Sequence, residues 1–132
     1  MYSETVEAVL RYIKEYYGAG PEFLWKTSDT AAAIRHPGTK KWFAALMLQT
    51  PDRVLNLRGE GRTDILNLNC DPLFIGSLVD GKRYLPGYHM NKEHWISVVL
   101  DGSLPPEEIF PWIDLSFRLT EPKRTVNRKE KP

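Results

Sequence analysis

"YLPGYHMNKEHWISVVLDGSLP", residues 84–105, contains the strand around which the rest of the chain can be arranged. Two sets of side chains alternate within it: one is Ile96, Val98 and Leu100, and the other is Trp95, Ser97 and Val99. A period of two predicts a β-strand with two different faces. Pro86–Gly87 and Asp101–Gly102 predict turns before and after this strand. Turns at both ends favour hairpin-like connections and therefore an antiparallel sheet.

"ILNLNCDP", residues 65–72, predicts a second strand with a core face and a polar face. Its core face consists of Leu66, Leu68 and Cys70, and its polar face consists of Asn67 and Asn69. Asp71 as N-cap and Pro72 at the first helical position predict a short helix directly after the strand, with Gly81 closing it. The apolar side of this helix is expected to be Leu73, Phe74 and Leu78.

"TAAAIRHPGTKKWFAALMLQT", residues 30–50, predicts two further strands that are joined by a turn at Pro37–Gly38. The second strand, from Trp42 to Leu48, is apolar on both alternating faces. A strand of that composition is typical of the interior of a sheet, with neighbours on both sides and cover on at least one face.

Amphipathic helices are predicted at both ends of the chain. Ser3 is a suitable N-cap for the first, and Gly18 and Gly20–Pro21 end it. The apolar face of the first helix is Val6, Val9, Leu10, Ile13 and Tyr17. The last helix begins within residues 103–106, and its apolar face is Ile109, Trp112, Ile113, Ser116 and Phe117.

These elements predict a two-layer α+β domain in which an antiparallel sheet carries helices on one face. The other face of the sheet is expected to be partly open, and the candidates for it are Trp95, Ser97, Val99, Asn67 and Asn69. We expect residues 1–119 to form a single domain, because 132 residues are enough for one hydrophobic core. Residues 120–132 are expected to form a mobile basic tail with Lys123, Arg124, Arg128, Lys129 and Lys131.

Composition restricts the function more than it identifies it. The chain has 18 Lys+Arg against 17 Asp+Glu, so its net charge of +1 differs from the strongly basic balance of most nucleic-acid-binding domains. Any such binding must come from a local patch. The single cysteine, Cys70, excludes an internal disulfide and fits a reducing compartment. The N-terminal segment has neither a signal-peptide nor a membrane-span pattern, so we expect a cytoplasmic protein with no membrane partner.

The titratable residues do not predict a catalytic or metal site. His89 and His94 are five residues apart, a spacing that suits two metal ligands on neither a helix nor a strand. Cys70 is on the core side of its strand and is interpreted as a small buried hydrophobe, not as a nucleophile. Glu107 and Glu108 favour the first turn of a helix because of its dipole. We therefore predict no enzymatic activity, no cofactor and no metal.

Together, "HPGTKKWFAALM" (36–47), "ILNLNCDP" (65–72) and "YLPGYHMNKEHWISVVLDGSLP" (84–105) resemble the bacterial MmcQ/YjbR family. The resemblance covers residues 1–119, and its specific part is 85–105. It implies a small secretion-chaperone-like, or YjbR-like, domain with the order α-β-β-β-α-β-β-α. It also implies a DNA-binding protein with a double-wing arrangement of strands, and no recognised enzymatic activity.

Our first hypothesis is a non-enzymatic DNA-binding protein that contacts mainly phosphates through basic hairpin tips, weakly and with strong salt dependence. The candidate DNA-binding residues are Arg35, Lys40, Lys41, Lys82, Arg83, Asn91, Lys92 and His94. The alternative is a protein-interaction or self-association domain that uses the open sheet face or a sheet edge. Its candidate surface is Tyr88, His89 and Trp95, which a purely structural corner would also explain. A third hypothesis is an enzyme or small-molecule binder with His89 and His94 in a cleft.

Overall fold

A computed structural model describes residues 2–25 and 28–122, which form three α-helices and one six-stranded sheet. The helices are α1 (Glu4–Tyr17), α2 (Pro72–Leu78) and α3 (Pro106–Leu119). The strands are β1 (Glu22–Trp25), β2 (Ser28–Arg35), β3 (Trp42–Pro51), β4 (Arg62–Asn69), β5 (Tyr84–Pro86) and β6 (Trp95–Val99). A 3₁₀ turn, Asp52–Leu55, follows β3.

The sheet has the order β1-β2-β3-β4-β6-β5, and every neighbouring pair is antiparallel. The α+β prediction is therefore confirmed, and β3 is an interior strand as its composition indicates. Four strands precede α2 instead of the three in the order that the resemblance implied. The additional strand is β1, which pairs only with β2 and forms one edge of the sheet.

Local sequence signals set the helix ends. The Ser3 hydroxyl accepts a hydrogen bond from the Val6 N–H at 3.2 Å, and Gly18 ends α1 in the left-handed region at φ 64°. Asp71 caps α2 by accepting from the Leu73 N–H at 2.9 Å, with Pro72 at the first position. These three predicted caps are confirmed. No helix in residues 2–25 and 28–122 has the length and apolar character needed to span a bilayer.

The main core lies between the helices and one face of the sheet. Each central strand contributes alternate residues, which are Ala32, Ile34, Ala44, Leu46, Leu66, Leu68, Ile96 and Val98. From the helices, Val6, Val9, Ile13, Ile109 and Ile113 pack against them. Cys70 is also buried in this core, as its position in the alternation predicts. We call this side of the sheet the helix-covered face.

Polar contacts fix the positions of the two long helices. Tyr12 and Tyr17 on α1 both donate hydrogen bonds to the Asp114 carboxylate on α3, at 2.8 and 2.5 Å. Burial and the bond to Asp114 raise the pKa of Tyr12 to about 12, so both hydroxyls stay protonated donors at neutral pH. Ser116 on α3 donates to the Phe43 carbonyl of β3 and accepts from the Asn69 N–H. Asp114 therefore joins the two helices, and Ser116 joins α3 to the sheet.

The second face of the sheet is covered as well, which corrects the expectation of an open face. Four residues form a small second core on it, namely Leu55, Ile65, Leu85 and Val99, and Met47, Leu57 and Tyr88 pack around them. We call this side the loop-covered face. Of the residues expected to be open, Asn67, Ser97 and Val99 are buried, whereas Trp95 and Asn69 are half-buried. The expectation was wrong because the segments after β3 and β5 fold back over the sheet.

Two smaller expectations are also corrected. In α2, Leu73 is 85 % exposed and Phe74 45 % exposed, and the residues of α2 that pack against the main core are Ile75 and Leu78. Thr120, which the sequence assigned to the tail, is buried at the end of α3. The five basic tail residues, 123–131, lie outside the described residues.

Candidate nucleic-acid interface

Two protruding segments emerge from the same end of the sheet. The first is the hairpin tip, residues 36–41, between β2 and β3, and the second is the 87–94 loop between β5 and β6. Strand register aligns them, because Ala44 of β3 pairs with Leu68 of β4, which pairs with Ile96 of β6. β3 and β6 are two strands apart, which corresponds to about 10 Å across the sheet. We call this end, with both segments, the hairpin end.

The hairpin tip presents two exposed lysines. The His36 N–H donates to the Lys41 carbonyl at 2.8 Å, and the Lys40 N–H donates to the His36 carbonyl at 2.9 Å. Lys40 adopts φ 67°, a left-handed conformation that non-glycine residues rarely use. Lys40 and Lys41 are both exposed, and neither forms an ion pair with any described residue. The tip therefore holds two adjacent cationic side chains on a closed turn.

His36 attaches the hairpin tip to the end of α3. Its ring is 4 % exposed and its centroid is 4.0 Å from that of Phe117. His36 Nε2 lies 2.8 Å from Thr120 Oγ1, and the Thr120 hydroxyl donates to the Ser116 carbonyl at 2.7 Å. Since that hydroxyl has a single proton, His36 Nε2–H must be the donor to Thr120. Burial lowers the pKa of His36, Glu121 opposes this shift, and Lys41 adds to it.

The 87–94 loop is held from below by two buried polar side chains. Ser97 Oγ donates to Asn67 Oδ1, and the Tyr88 N–H donates to Ser97 Oγ at 2.9 Å. Asn67 Nδ2 donates to the Tyr88 carbonyl at 2.9 Å. Both backbone groups of Tyr88 are therefore satisfied by side chains of β4 and β6 on the loop-covered face. This is why a polar pair can be buried there without an unpaired group.

Contacts within the 87–94 loop fix its shape. A Cβ at Gly87 would lie 2.8 Å from both Cβ and O of Trp95, so the close approach requires glycine. Lys92 Nζ donates to the Gly87 carbonyl at 3.0 Å, and Asn91 Oδ1 accepts from the Glu93 N–H at 2.8 Å. Asn91 starts a turn as its residue type predicts. Hydrogen bonds within the loop therefore occupy one N–H of the Lys92 ammonium and the side-chain oxygen of Asn91.

The two histidines of the loop are both exposed. His89 adopts φ 60°, and its ring lies 4.0 Å from the ring of Tyr88, centroid to centroid. The His94 backbone is fixed, because its carbonyl accepts from the Cys70 N–H at 2.7 Å. The loop thus displays the side chains of His89, Asn91, Lys92 and His94 while Tyr88 and Trp95 are half-buried beneath.

The predicted cations do not share one surface. Lys82 and Arg83 lie at the opposite end of the sheet, where the Arg83 carbonyl accepts from the Val99 N–H at 2.9 Å. Arg83 Nε is 3.5 Å from Asp80 Oδ2. At the hairpin end, Arg35 Nε is 3.4 Å from Glu22 Oε1. The Arg35 guanidinium lies over the Trp42 ring, with Cζ 5.9 Å from the ring centroid. Arg35 and Arg83 each have a carboxylate neighbour, whereas Lys40 and Lys41 form no ion pair with described residues.

Asp80 organises the turn that carries Lys82 and Arg83. Its Oδ1 accepts hydrogen bonds from the backbone N–H groups of Lys82, Arg83 and Tyr84 at 2.8–3.0 Å. Burial would raise the pKa of Asp80, but these three hydrogen bonds and the Arg83 charge outweigh it and lower the pKa to about 2. The backbone of this turn is therefore built around a carboxylate, which reduces the local positive charge.

Two surface cavities lie away from the hairpin end, and the Cys70 thiol is buried. The cavities have volumes of about 500 and about 620 Å³ and lie around Arg62, at the other end of the sheet from His89 and His94. Within residues 2–25 and 28–122, no group of three or more His, Cys, Asp or Glu side chains has a metal-binding arrangement. Burial raises the pKa of the Cys70 thiol. The Asp114 carboxylate accepts hydrogen bonds from the hydroxyls of Tyr12 and Tyr17.

Sequence reasoning missed the four polar residues that hold the two segments of the hairpin end in position, namely His36, Thr120, Asn67 and Ser97. His36 lies next to Pro37 in a predicted turn, and a turn position gives no signal that its side chain will be buried. The alternation that assigned Asn67 and Ser97 to the second face was correct. No short-range pattern shows that the 87–94 loop will return to cover them, since Tyr88 is 21 residues from Asn67 and nine from Ser97.

The fold and the interface define a class: a small two-layer α+β domain in which helices cover one sheet face and loops cover the other. The YjbR family model matches residues 14–119, and the chain belongs to this family. The chain is 44 % identical over 117 residues to "Uncharacterized protein YyaQ" of Bacillus subtilis, covering 89 % of this chain and 98 % of the relative.

Solved structures support the fold. A crystal structure of a Pseudomonas syringae protein superposes with a TM-score of 0.80 at 36 % identity, covering 87 % of this chain and 97 % of that one. A Deinococcus radiodurans protein with a DUF419 domain has a TM-score of 0.60 at 23 % identity, covering 86 % of this chain and 76 % of its own, which supports the fold alone. The predicted MmcQ/YjbR resemblance is thus confirmed as YjbR family membership.

Proposed function

We propose that this protein binds duplex DNA without chemical turnover, mainly through phosphates at the hairpin end. The observation that carries the proposal is the common origin of two protrusions, one with Lys40 and Lys41 and the other with Lys92 and His94. In this proposal the two protrusions act as the two wings that the family resemblance implies. The proposal includes a cytoplasmic location, because the protein must be able to reach the DNA that it binds.

The residues have different tasks in this proposal. Lys40 and Lys41, exposed and free of ion pairs with described residues, contact phosphates as point charges. Asn91, Lys92 and His94 supply hydrogen-bond donors from the second protrusion, although Lys92 shares its ammonium with the Gly87 carbonyl. Such contacts position a duplex and carry little sequence information.

The absence of turnover in the proposal rests on the chemistry of the available groups. The Cys70 thiol is buried and has a raised pKa, which opposes formation of a thiolate nucleophile. His89 and His94 lie on an exposed loop, where bulk water would compete with any substrate held between them. Phosphate contact requires none of this chemistry.

The experiment is fluorescence anisotropy with a labelled duplex of about 20 base pairs, from about 50 to about 200 mM salt. Lys40→Gln/Lys41→Gln should reduce the slope of log K against log salt by about 2, because each lost phosphate contact removes about 0.9. The matched control is Lys82→Gln/Arg83→Gln, which removes the same charge at the other end and should leave the slope unchanged. Equal losses for both pairs would show that only net charge matters and would reject the hairpin end as the site.

Self-association is the second candidate, and one observation favours it. β1 is an edge strand whose Phe23 and Leu24 are each 37 % exposed, whereas the opposite edge, β5, has only three residues and ends in proline. Two copies of β1 can pair antiparallel about a twofold axis. Sedimentation velocity at micromolar concentration tests this: a dimer that Leu24→Lys dissociates supports it, and a monomer rejects it. The loop-covered face is excluded as this surface because it is already buried.

A further inference from the structure

At the hairpin end, the loop-covered face finishes in a row of side chains that crosses the sheet. Arg35 pairs with Trp42, and Asn69 pairs with Trp95. Strand neighbours of the row belong to the main core, namely Ile34, Leu68 and Ile96. Alternation therefore puts Arg35, Asn69 and Trp95 on the loop-covered face. Trp42 lies on the same face, because its strand partner and its ring contact are both Arg35.

A register shift brings Trp42 beside Asn69. Between β2 and β3 the register changes after Ile34, so that Arg35 pairs with Trp42 in place of Phe43. Phe43 is buried in the main core, on the other side of the sheet. The row therefore continues over four adjacent strands, β2, β3, β4 and β6. We call it the tryptophan row, and its members are Arg35, Trp42, Asn69 and Trp95.

The two tryptophans lie on either side of a shorter side chain. β3 and β6 are two strands apart, which corresponds to about 10 Å, and Asn69 of β4 is between them. Two rings that sandwich a third are about 7 to 8 Å apart, because stacked carbon atoms approach to about 3.5–4 Å. The space over Asn69 therefore has the width that one planar ring needs.

The tryptophan rings of the row are not occupied by other rings. In the described part of the chain, neither Trp42 nor Trp95 contacts another aromatic side chain, whereas Trp112 on α3 contacts two. The Arg35 guanidinium lies over Trp42 from the side of β2. The opposite face of that ring is therefore on the side of Asn69. Both tryptophans are half-buried, so each is held by the fold and still has exposed surface.

The side-chain amide of Asn69 is available for a ligand. The Asn69 backbone N–H donates to the Ser116 hydroxyl at 2.8 Å, but its side chain forms no hydrogen bond with any described residue. The amide of Asn67, two positions earlier, is fully engaged with Tyr88 and Ser97. Asn69 therefore offers a donor and an acceptor between two aromatic rings, a combination that suits the polar edge of a nucleobase.

Cations flank the row on both sides. Lys41 directly precedes Trp42 in the chain, and its side chain is exposed. On the other side, the Gly87 N–H donates to the Trp95 carbonyl at 3.2 Å, and the Gly87 carbonyl accepts from the Lys92 ammonium at 3.0 Å. A nucleotide matches this arrangement, because its base is a planar ring and its phosphates are anionic.

We propose that the tryptophan row binds an unpaired nucleobase, which inserts between Trp42 and Trp95 and hydrogen-bonds to Asn69. The inference rests on the proposed function and names the part of the DNA that this face recognises. A base that is already unpaired enters the row at the least cost, because no base pair has to be broken. Stacking accepts any base, since every base has a π face. The lysines of both protrusions hold the phosphates next to it.

The first test uses the native chain and three labelled duplexes of about 20 base pairs in anisotropy titrations. One duplex is fully paired, one has an unpaired adenine at its centre, and one has an abasic nucleotide at that position. The adenine bulge should bind at least about fivefold more tightly than the abasic bulge, which has the same phosphates but no base to stack. The ratio should be equal at about 50 and about 200 mM salt, because stacking releases no counterions.

Substitutions then assign the preference to the row. Trp42→Leu and Trp95→Leu keep an apolar side chain and remove the ring, so each should bring the ratio close to one. The matched control is Tyr16→Leu on α1, which removes a ring that is 68 % exposed and should leave the ratio unchanged. Lys40→Gln/Lys41→Gln should weaken binding to both bulges equally. Urea denaturation of each variant shows that the comparison is made between folded proteins.

The outcomes separate this inference from the proposed function. Equal affinity of the native chain for the adenine and abasic bulges would overturn the tryptophan row and leave duplex binding intact. A ratio that survives in both tryptophan variants would also overturn it. Binding of the adenine bulge without measurable binding of the paired duplex would support the row and reject duplex binding as the function. If no duplex binds at about 50 mM salt, both proposals fail.

Discussion

The two faces of the sheet are buried by different means. α1 and α3 cover one face with a continuous apolar core. The segments after β3 and β5 cover the other face, over a small apolar core and a polar pair, Asn67 and Ser97. The helix-covered face obtains its stability from area and packing. The loop-covered face has a much smaller apolar core and depends more on individual hydrogen bonds and on one glycine. One sheet can therefore carry most of the hydrophobic core on its helix-covered face while its loop-covered face fixes the shape of the 87–94 loop.

The largest expected effect is on the helix-covered face. Leu68→Ala, at a fully buried position of β4, should lower the free energy of unfolding by about 4 kcal/mol, because helices and sheet cannot close around the cavity. Leu85→Ala makes the same change on the loop-covered face and should cost about 2 kcal/mol, since a loop can partly collapse into the space. Urea denaturation measures both values. Equal losses would show that the loops pack as rigidly as the helices.

The second effect concerns Gly87, the first residue of the 87–94 loop. Gly87→Ala places a methyl group 2.8 Å from Cβ and O of Trp95, so backbone must move, at a cost of about 2 kcal/mol. Gly76→Ala in α2 is the matched control, because nothing lies within 4 Å of its added Cβ. The control should be stabilising by about 0.5 kcal/mol, in line with helix propensity. Thermal unfolding of the pair measures the difference, and an unaffected Gly87→Ala would contradict the close approach.

The helix-covered face was predictable from the sequence to a degree that the other face was not. Alternation in β4 and β6 assigned Leu66, Leu68, Ile96 and Val98 to the core, and all four are there. A period of two also separated Asn67 and Ser97 from them correctly. It could not tell whether that second face is solvated or covered, because the covering segments lack periodicity. The prediction that Leu73 lies on the apolar side of α2 was wrong for a related reason. A helix of seven residues is too short for its periodicity to define an apolar side.

The third effect isolates the hydrogen-bond network of the loop-covered face. Ser97→Ala removes the acceptor of the Tyr88 N–H and the donor to Asn67, which should cost about 1.5 kcal/mol. Ser77→Ala on exposed α2 is the control and should change stability by less than about 0.5 kcal/mol. Amide hydrogen exchange gives a local readout, since the Tyr88 amide should exchange faster in Ser97→Ala. Unchanged protection there would mean that the loop is held by other contacts.

The candidate interface was predictable only in its composition. Lys40, Lys41 and Lys92 could be named because charged residues near a turn are exposed by default. Strand register separates these lysines from Lys82 and Arg83, because it places the start of β5 and the β2–β3 hairpin tip at different ends of the sheet. His36 is four residues before Lys40 in the same turn region, but it is buried against the end of α3, some 80 positions later in sequence. Contacts over that separation have no local signal.

The smallest effect distinguishes the two faces by pH. His36 is a buried titratable group at the margin of the helix-covered face, whereas the buried polar pair of the other face, Asn67 and Ser97, does not titrate. Burial lowers the pKa of His36 below its unfolded value of 6.5, so the unfolded chain binds a proton more readily. The contribution of His36 to stability is therefore complete at pH values above the unfolded pKa. It decreases as the pH falls below the unfolded pKa, until the folded form is protonated too.

Urea denaturation at intervals between about pH 7.5 and pH 5 measures this slope in the native chain and in His36→Gln. Glutamine retains an N–H donor for Thr120 Oγ1 and does not titrate, so the slope should flatten in the variant while Thr120 keeps its partner. Asp80, whose pKa is about 2, titrates in a more acidic range and leaves this window undisturbed. An identical slope in both proteins would mean that His36 is not the group that weakens the helix-covered face in acid. The hairpin tip would then be attached to α3 independently of pH, and its lysines would keep their position throughout the range.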